Sequence, residues 1–296
     1  MLADTTCEAA PAKINLALHV TGQRDDGYHL IDSIVAFTDY GDRLTFTPAE
    51  RDSFQLDGRF GPLLSIEAAS KDGNLALKAR DLLRSSLAAK GMAAGPVAIV
   101  LEKNLPVASG IGGGSADAAA ALRGLLRIWH ATLPPYELAA IALKLGADVP
   151  MCLESRPLRA SGIGERIDAI ANMPPFALVL ANPLKPVSTP EIFRRLTCKD
   201  HPPIGQLTHS REHAVWLDFL SSLRNDLERP ARALLPEIAD ICALLQDVGA
   251  RLVRMSGSGA TCFGIFDGAS AADVAARQLT EQRPDWFFQA SVTIAS

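Results

Sequence analysis

The run Leu105-Pro106-Val107-Ala108-Ser109-Gly110-Ile111-Gly112-Gly113-Gly114-Ser115-Ala116-Asp117 constrains this chain more than any other stretch. Four glycines in five positions leave the backbone bare, so several amide N–H groups can turn toward one anion. Val97 to Leu101 before it reads as a strand. Ala118 to Trp129 after it reads as an alanine-rich helix whose first turn is Ser115-Ala116-Asp117. A glycine loop feeding a helix N-terminus suits a phosphate, because the free N–H groups and the helix dipole both attract negative charge. The plainer alternative is a surface turn, with Ser115 acting as the helix N-cap.

Two common phosphate loops are excluded. The P-loop pattern ends in Gly-Lys-Ser/Thr, and no lysine follows these glycines. The dinucleotide pattern Gly-x-Gly-x-x-Gly fails at Ser115 when counted from Gly110 and at Asp117 when counted from Gly112. Gly162-Ile163-Gly164 and Gly257-Ser258-Gly259 fail at Ile167 and Cys262, which disfavours a nicotinamide oxidoreductase.

Composition removes further classes. A net charge of −4 with no Lys/Arg cluster argues against nucleic acid or an acidic membrane surface as the main partner. No apolar run approaches the roughly 18 residues of a membrane span. The N-terminus lacks the basic and apolar regions of an export signal. Cys7, Cys152, Cys198, Cys242 and Cys262 are odd in number and far apart, which fits a reducing cytoplasm better than a disulfide framework.

The periodicity predicts strands over Lys13–Val20, Ile31–Phe37 and Arg43–Thr47, with Gly22–Tyr28 as a loop or hairpin turn. Asn74–Lys90 reads as a helix stopped by Gly91, and Tyr136–Leu145 as one closed by Gly146. Glu154–Asn172, rich in Pro and Gly, reads as a crossing between halves. Later come strands at Phe176–Ala181, Arg251–Met255, Thr261–Phe266 and Phe287–Ile294. Helices are expected at Pro190–Leu196, Ala231–Val248 and Ala271–Gln282. Mixed rather than strictly alternating elements make the fold class α+β. His209 and His213 stand at the i, i+4 spacing of a helical metal pair, with no third ligand evident.

Pro106, Gly110, Ile111 and Gly112 resemble the second motif of the GHMP kinases, Pro-x-x-x-Gly-Leu-Gly-Ser-Ser-Ala. Gly113-Gly114 in place of Ser-Ser is typical of the branch that acts on a cytidine diphosphate-linked methylerythritol in the non-mevalonate route to isoprenoids. Four further blocks resemble family or branch motifs in the right order: Pro11-Ala12-Lys13-Ile14-Asn15-Leu16, Gly27-Tyr28-His29-Leu30, Leu145 to Pro150, and Met255 to Thr261. Pro186 to Phe193 matches another stretch of the branch. Against the branch loop pattern, Ala108 and Ser109 replace glycines, Ile111 replaces Leu, and Ala116 replaces the second Ser, removing one hydroxyl from the loop.

The resemblance implies two domains, 1–156 like the second domain of ribosomal protein S5 and 157–296 ferredoxin-like. It implies transfer of the ATP γ-phosphate to the 2-hydroxyl of the cytidyl substrate, with Mg²⁺, by a cytoplasmic monomer or weak homodimer. Residue by residue, Asp148 matches the catalytic aspartate, and Lys13 the lysine beside it that keeps it ionised and offsets phosphoryl charge. Pro106 to Ala116 would hold the β- and γ-phosphates, Ser115 adding a hydroxyl to phosphate or Mg²⁺. Asn74 and Lys103 match positions near adenosine. Tyr28 and Phe193 match the rings that sandwich cytosine, and His29 the group that reads its edge. Asn15 and Thr189 match contacts to the methylerythritol or diphosphate part. Taken singly, Tyr28 and Phe193 would be called core, Lys13 a snorkelling edge residue and Lys103 a surface charge. The rivals are another GHMP enzyme, such as a homoserine or mevalonate kinase, and a nucleotide-binding regulatory module without catalysis.

Overall fold

A computed structural model describes residues 5–64, 73–107 and 109–296. Ala108 of the glycine loop lies outside the described residues. The chain divides into two compact units that interleave along the sequence. The first is Met1–Ala12, Gly41–Val107 and Gly112–Glu154; the second is Lys13–Tyr40, Ala108–Ile111 and Ser155–Ser296. Two long strands, β1 (Thr6–Gln23) and β2 (His29–Pro48), contribute to both units.

In the first unit, β2 pairs antiparallel with β4 (Val97–Glu102), and β4 pairs in parallel with β3 (Ser53–Asp57), a strand not expected from the sequence. The helices of this unit are α1 (Leu75–Ala88), α2 (Gly113–Ile128), α3 (Pro135–Leu145) and α4 (Val149–Glu154). The alanine run of α2 is buried from Ala118 to Ala121, and these short side chains let the helix lie close to its neighbours. Gly124 does the same for Phe46: a Cβ there would stand 2.2 Å from the ring. Phe46, Leu83 and Leu87 are fully buried, each side chain stabilising the unit by about 1.5–3 kcal/mol.

Asp52, directly before β3, ties this point of the chain to α1 and β4. It accepts two hydrogen bonds from Arg84 on α1, at 2.6 and 2.9 Å, and one from the Val97 N–H at the start of β4, at 3.0 Å. The Arg84 bonds hold its carboxyl down at about 2 despite partial burial. Because the folded-state pKa is depressed, this carboxylate stabilises the fold above its unfolded pKa of about 3.9 and ceases to do so as pH falls toward 2. Asp52→Asn is expected to cost about 1–2 kcal/mol at pH 7, after allowance for partial exposure. Urea unfolding of both proteins checks this: the gap should narrow as pH falls from 7 to 3.

The second unit carries a four-stranded antiparallel sheet in the order β10-β7-β9-β8. Here β7 is Ala177–Asn182, β8 Leu252–Met255, β9 Cys262–Phe266 and β10 Phe287–Val292. In chain order this is fourth, first, third, second, with helices after the first and third strands, the ferredoxin-like arrangement expected. Its helices are α5 (Thr189–Arg194), α6 (His213–Ser221), α7 (Glu228–Leu234), α8 (Glu237–Asp247) and α9 (Ala269–Gln282). Val179 and Ala181 of β7 share one core with Ile241 and Leu245 of α8 and with Ala275 and Leu279 of α9.

Several local expectations are corrected. Ile31–Phe37 and Arg43–Thr47 belong to one continuous strand, β2. Glu154–Asn172 is not simply a crossing: Leu158–Gly162 (β5) and Arg166–Ala169 (β6) form an antiparallel hairpin, and β5 pairs with β2. The helix read over Ala231–Val248 is two helices, because Pro236 separates α7 from α8. His209 lies in a loop and His213 begins α6, its ring 4.7 Å from Phe176, so the two histidines share no helix face. Among the described residues no helix is long and apolar enough to cross a membrane.

Candidate active site

The glycine loop leaves β4 and enters α2, as its flanking patterns predict. The helix begins at Gly113, and its N-cap is Gly112 with φ +69°, a left-handed conformation that costs glycine nothing. Ser115 is therefore not the N-cap; it is half-buried in the first turn of the helix, among N–H groups that no helical carbonyl satisfies. Val107 and Gly114 are exposed, while Pro106 and Ala116 are buried.

In the first unit, Lys103, at the end of the strand leading to the loop, is 5% exposed. Its ammonium donates to Asp42 and, at 2.8 Å, to Asp117 of α2. Burial would lower the Lys103 pKa, yet Asp117 and Asp42 raise it above its ordinary value. Burial also pushes the Asp117 pKa up, against the pull of the Lys103 charge. Asn74 caps α1: its Oδ1 accepts the N–H groups of Ala76 at 3.0 Å and Leu77 at 3.4 Å. Asp148 is half-buried in a turn entering α4, where its carbonyl accepts the Cys152 N–H at 3.2 Å.

In the second unit, the front of the glycine loop packs on the segment Ser256 to Thr261. The Ser109 carbonyl accepts the Thr261 N–H at 3.1 Å, and the Ile111 carbonyl accepts the Lys13 N–H at 2.9 Å. Lys13 is buried on β1. Two residues on, the Asn15 N–H donates to Ser256 Oγ at 3.0 Å, and Asn15 Nδ2 donates to Ser33 Oγ at 2.8 Å. Asn15 Oδ1 is buried with no hydrogen-bond partner among the described residues. A Cβ at Gly257 would stand 3.3 Å from it.

The rings expected at the substrate end are arranged differently from a Tyr28–Phe193 sandwich. Tyr28 is 61% exposed in the β1–β2 turn, whereas His29 stacks on Phe193 with centroids 4.8 Å apart and planes at 28°. That spacing admits no third ring between the two. Burial, then the nearby Lys199 charge, lowers the His29 pKa, so the imidazole is neutral at pH 7, and its buried Nε2 has no partner among the described residues. Thr189, first residue of α5, shares a 2.6 Å hydrogen bond with Ser258 Oγ.

Asp42 and Asp117 carry no sequence signal of their own. Their partner, Lys103, lies 61 residues from Asp42 and 14 from Asp117, at no periodic spacing. The Tyr-Gly-Asp at Tyr40 to Asp42 is the available hint, and it reads equally well as a turn.

Chemically, a bare loop at a helix N-terminus suits an anion such as phosphate, and aromatic rings with an open imidazole nitrogen suit a heterocyclic ring. The family models "GHMP kinases N terminal domain" and "GHMP kinases C terminal" match residues 74–156 and 211–285. A protein of Rhizobium johnstonii named 4-diphosphocytidyl-2-C-methyl-D-erythritol kinase is 62% identical over 288 residues, covering 97% of this chain and 93% of its own length. The protein of that name from Agrobacterium fabrum is 60% identical over 293 residues, covering 99% and 97%. A crystal structure of 4-(cytidine 5'-diphospho)-2C-methyl-D-erythritol kinase superposes with a TM-score of 0.80 at 33% identity, covering 98% of this chain and all of that one.

Proposed function

Because this chain belongs to the GHMP kinases and matches the 4-diphosphocytidyl-2-C-methyl-D-erythritol kinases among them over nearly its whole length, we propose how its residues divide the work of that reaction. The enzyme is a small-molecule kinase: it phosphorylates 4-diphosphocytidyl-2-C-methyl-D-erythritol with ATP, in isoprenoid precursor synthesis. What carries this reading is the 62% identity across 97% of the chain.

The γ-phosphoryl group goes to the 2-hydroxyl, giving the 2-phosphate and ADP. Asp148 orients that hydroxyl and accepts its proton, and the Lys13 ammonium keeps Asp148 ionised and offsets charge on the moving group. The transition state of such transfers is loose, so positioning and charge neutralisation contribute more than proton abstraction. The N–H groups of Gly113 to Ser115, unsatisfied within the helix, supply donors to the β- and γ-phosphates, and Ser109 to Ile111 line the other part of the loop. Gly113 lies against Lys103: a Cβ there would make an ordinary contact with Nζ at 3.4 Å. Mg²⁺, when bound, neutralises phosphate charge; the Ser115 hydroxyl is the loop group suited to hold it. Asn74 faces the nucleoside with its Nδ2, since its Oδ1 is used as a cap.

At the other end, Phe193 and Tyr28 offer ring faces to cytosine, His29 Nε2 reads its edge, and Asn15 and Thr189 bind the polyol or diphosphate. We take 1–156 and 157–296 as the family's N- and C-terminal domains. We take the protein to act in the cytoplasm as a monomer or weak homodimer, without nucleic acid.

Phe193→Ala is expected to raise KM for the cytidyl substrate about tenfold, the scale of one lost aromatic stack, with KM for ATP little changed. Equal losses for both substrates would make Phe193 a core residue. The reaction itself is tested by ADP release with ATP, Mg²⁺ and the cytidyl substrate, beside homoserine, mevalonate and galactose. Turnover with the cytidyl compound alone is the expected result.

A further inference from the structure

The surroundings of Lys103 do not suit a nucleoside contact. The residue is 5% exposed, and two carboxylates already accept hydrogen bonds from its ammonium. Asp42 holds it from β2, and its other oxygen accepts the backbone N–H groups of Asn104 at 2.6 Å and Leu105 at 2.8 Å. This carboxylate thereby fixes the chain where it leaves β4. Asp117 holds the same ammonium from the first turns of α2, 2.8 Å away. The residues between Lys103 and Asp117 are the glycine loop itself. All three charged groups are nearly water-free, with Asp42 at 2% exposure and Asp117 at 4%. Such charges are retained only when well paired, and removing one partner leaves the others buried and unmatched.

We infer that Lys103 is a clasp for the glycine loop: a positioning residue that joins the loop's entry at Asp42 to its exit at Asp117, and so sets affinity for a triphosphate whatever base the triphosphate carries. The physical reason is entropic. A glycine-rich segment is the most conformationally free kind of backbone, and ordering it around an anion opposes binding residue by residue. A loop whose two ends are tied during folding has lost most of that freedom before the anion arrives, which strengthens binding without adding a contact. A Cβ placed on Gly113 would stand 3.4 Å from the ammonium, so the clasp lies directly beneath the first turn of α2. The inference rests on the proposal that this loop holds ATP phosphates.

Two variants test it. Lys103→Met keeps the chain length and removes the ammonium. Asp117→Asn keeps the shape and the Lys103–Asp42 pair but weakens the tie to α2, so it informs even if Lys103→Met fails to fold. Calorimetric titration of the whole protein would use ATP, inorganic tripolyphosphate and the cytidyl substrate as probes. Asp117→Asn is expected to weaken ATP and tripolyphosphate by the same factor, about three- to tenfold, and Lys103→Met by more than about tenfold. Binding of the cytidyl substrate should not change, and KM for ATP should rise more than kcat falls. A loss confined to ATP, with tripolyphosphate unaffected, would make Lys103 a nucleoside contact and overturn the clasp. Unchanged affinity for both in folded variants would overturn it too, as would an equal loss for the cytidyl substrate, the mark of general disruption. Tripolyphosphate needs no acceptor alcohol, so these results stand whichever alcohol proves to be the substrate. A wild-type protein that bound no tripolyphosphate and no ATP would remove the phosphate-loop reading itself, and the clasp with it.

Discussion

Asp148→Asn is expected to lower kcat by about 10²–10⁴-fold, the range a positioned general acid or base contributes. KM for ATP and for the cytidyl substrate should stay within a few-fold of wild type. Asparagine has the same shape and keeps the turn between Gly146 and Pro150, whose backbone is fixed by the Val149 N–H to Gly146 carbonyl bond at 3.1 Å and the Cys152 N–H to Asp148 carbonyl bond at 3.2 Å. Only the negative charge and the capacity to take a proton are lost. Steady-state kinetics on a thermally intact variant checks this, and near-normal turnover would remove Asp148 from the mechanism. The pH dependence separates its two contributions. Loss of a base leaves a kcat that rises with hydroxide across the range in which wild type has levelled off. Loss of an electrostatic anchor lowers the whole profile without changing its form.

The second large effect is predicted at Gly110→Ala. Gly110 has φ +74°, a region that costs an alanine roughly 1–2 kcal/mol. Its new Cβ would stand 2.4 Å from the Gly259 carbonyl oxygen and 2.8 Å from the Gly259 nitrogen. Both are backbone atoms and cannot swing aside as a side-chain end could, so overpacking adds about 1–3 kcal/mol. The loop front must retreat from the Ser256 to Thr261 segment, and with it the carbonyls that meet Thr261 and Lys13. Melting should fall by several degrees, and KM for ATP should rise by at least about tenfold. Gly114→Ala is the matched control. Its Cβ would meet Leu75 at 3.6 Å, an ordinary contact, so its melting temperature should stay near wild type. Equal stability losses in the two variants would contradict the argument.

The sequence made the loop legible because its signal is local. A strand pattern, bare backbone and an alanine-rich run lie within about thirty residues, and the resemblance added roles that no pattern supplies. What it hid depends on distance along the chain. Thr38 to Asp42 looks like a polar break, yet the strand runs through it. Thr38 Oγ1 donates to the Tyr40 carbonyl at 2.7 Å, Asp39 accepts the Val292 N–H at 2.9 Å, and Asp42 takes Lys103 and two loop amides. Each partner satisfies a polar group that composition assigns to solvent. The β5–β6 hairpin was obscured in the same way. Pro157, Gly162 and Gly164 punctuate it like a linker, while Arg159 is drawn into the fold by Asp32, 127 residues away, through bonds of 2.8 and 2.6 Å. Ser115 misled for the opposite reason. It is the better N-cap by propensity, but glycine at 112 can take the left-handed backbone that starts the helix earlier.

Asn15 offers a last consequence, for selectivity. Its amide cannot turn over freely: Nδ2 donates to Ser33 Oγ, and Ser33 Oγ donates onward to the Ala17 carbonyl at 2.6 Å. The oxygen left facing Gly257 can therefore only accept. Any ligand group that reaches it must bring a proton to share. A hydroxyl qualifies, while an ether or a ketone of the same shape leaves a buried lone pair unmatched, at a cost of about 1–3 kcal/mol. O-methylation of a contacting hydroxyl would thus be rejected on polarity as well as on bulk.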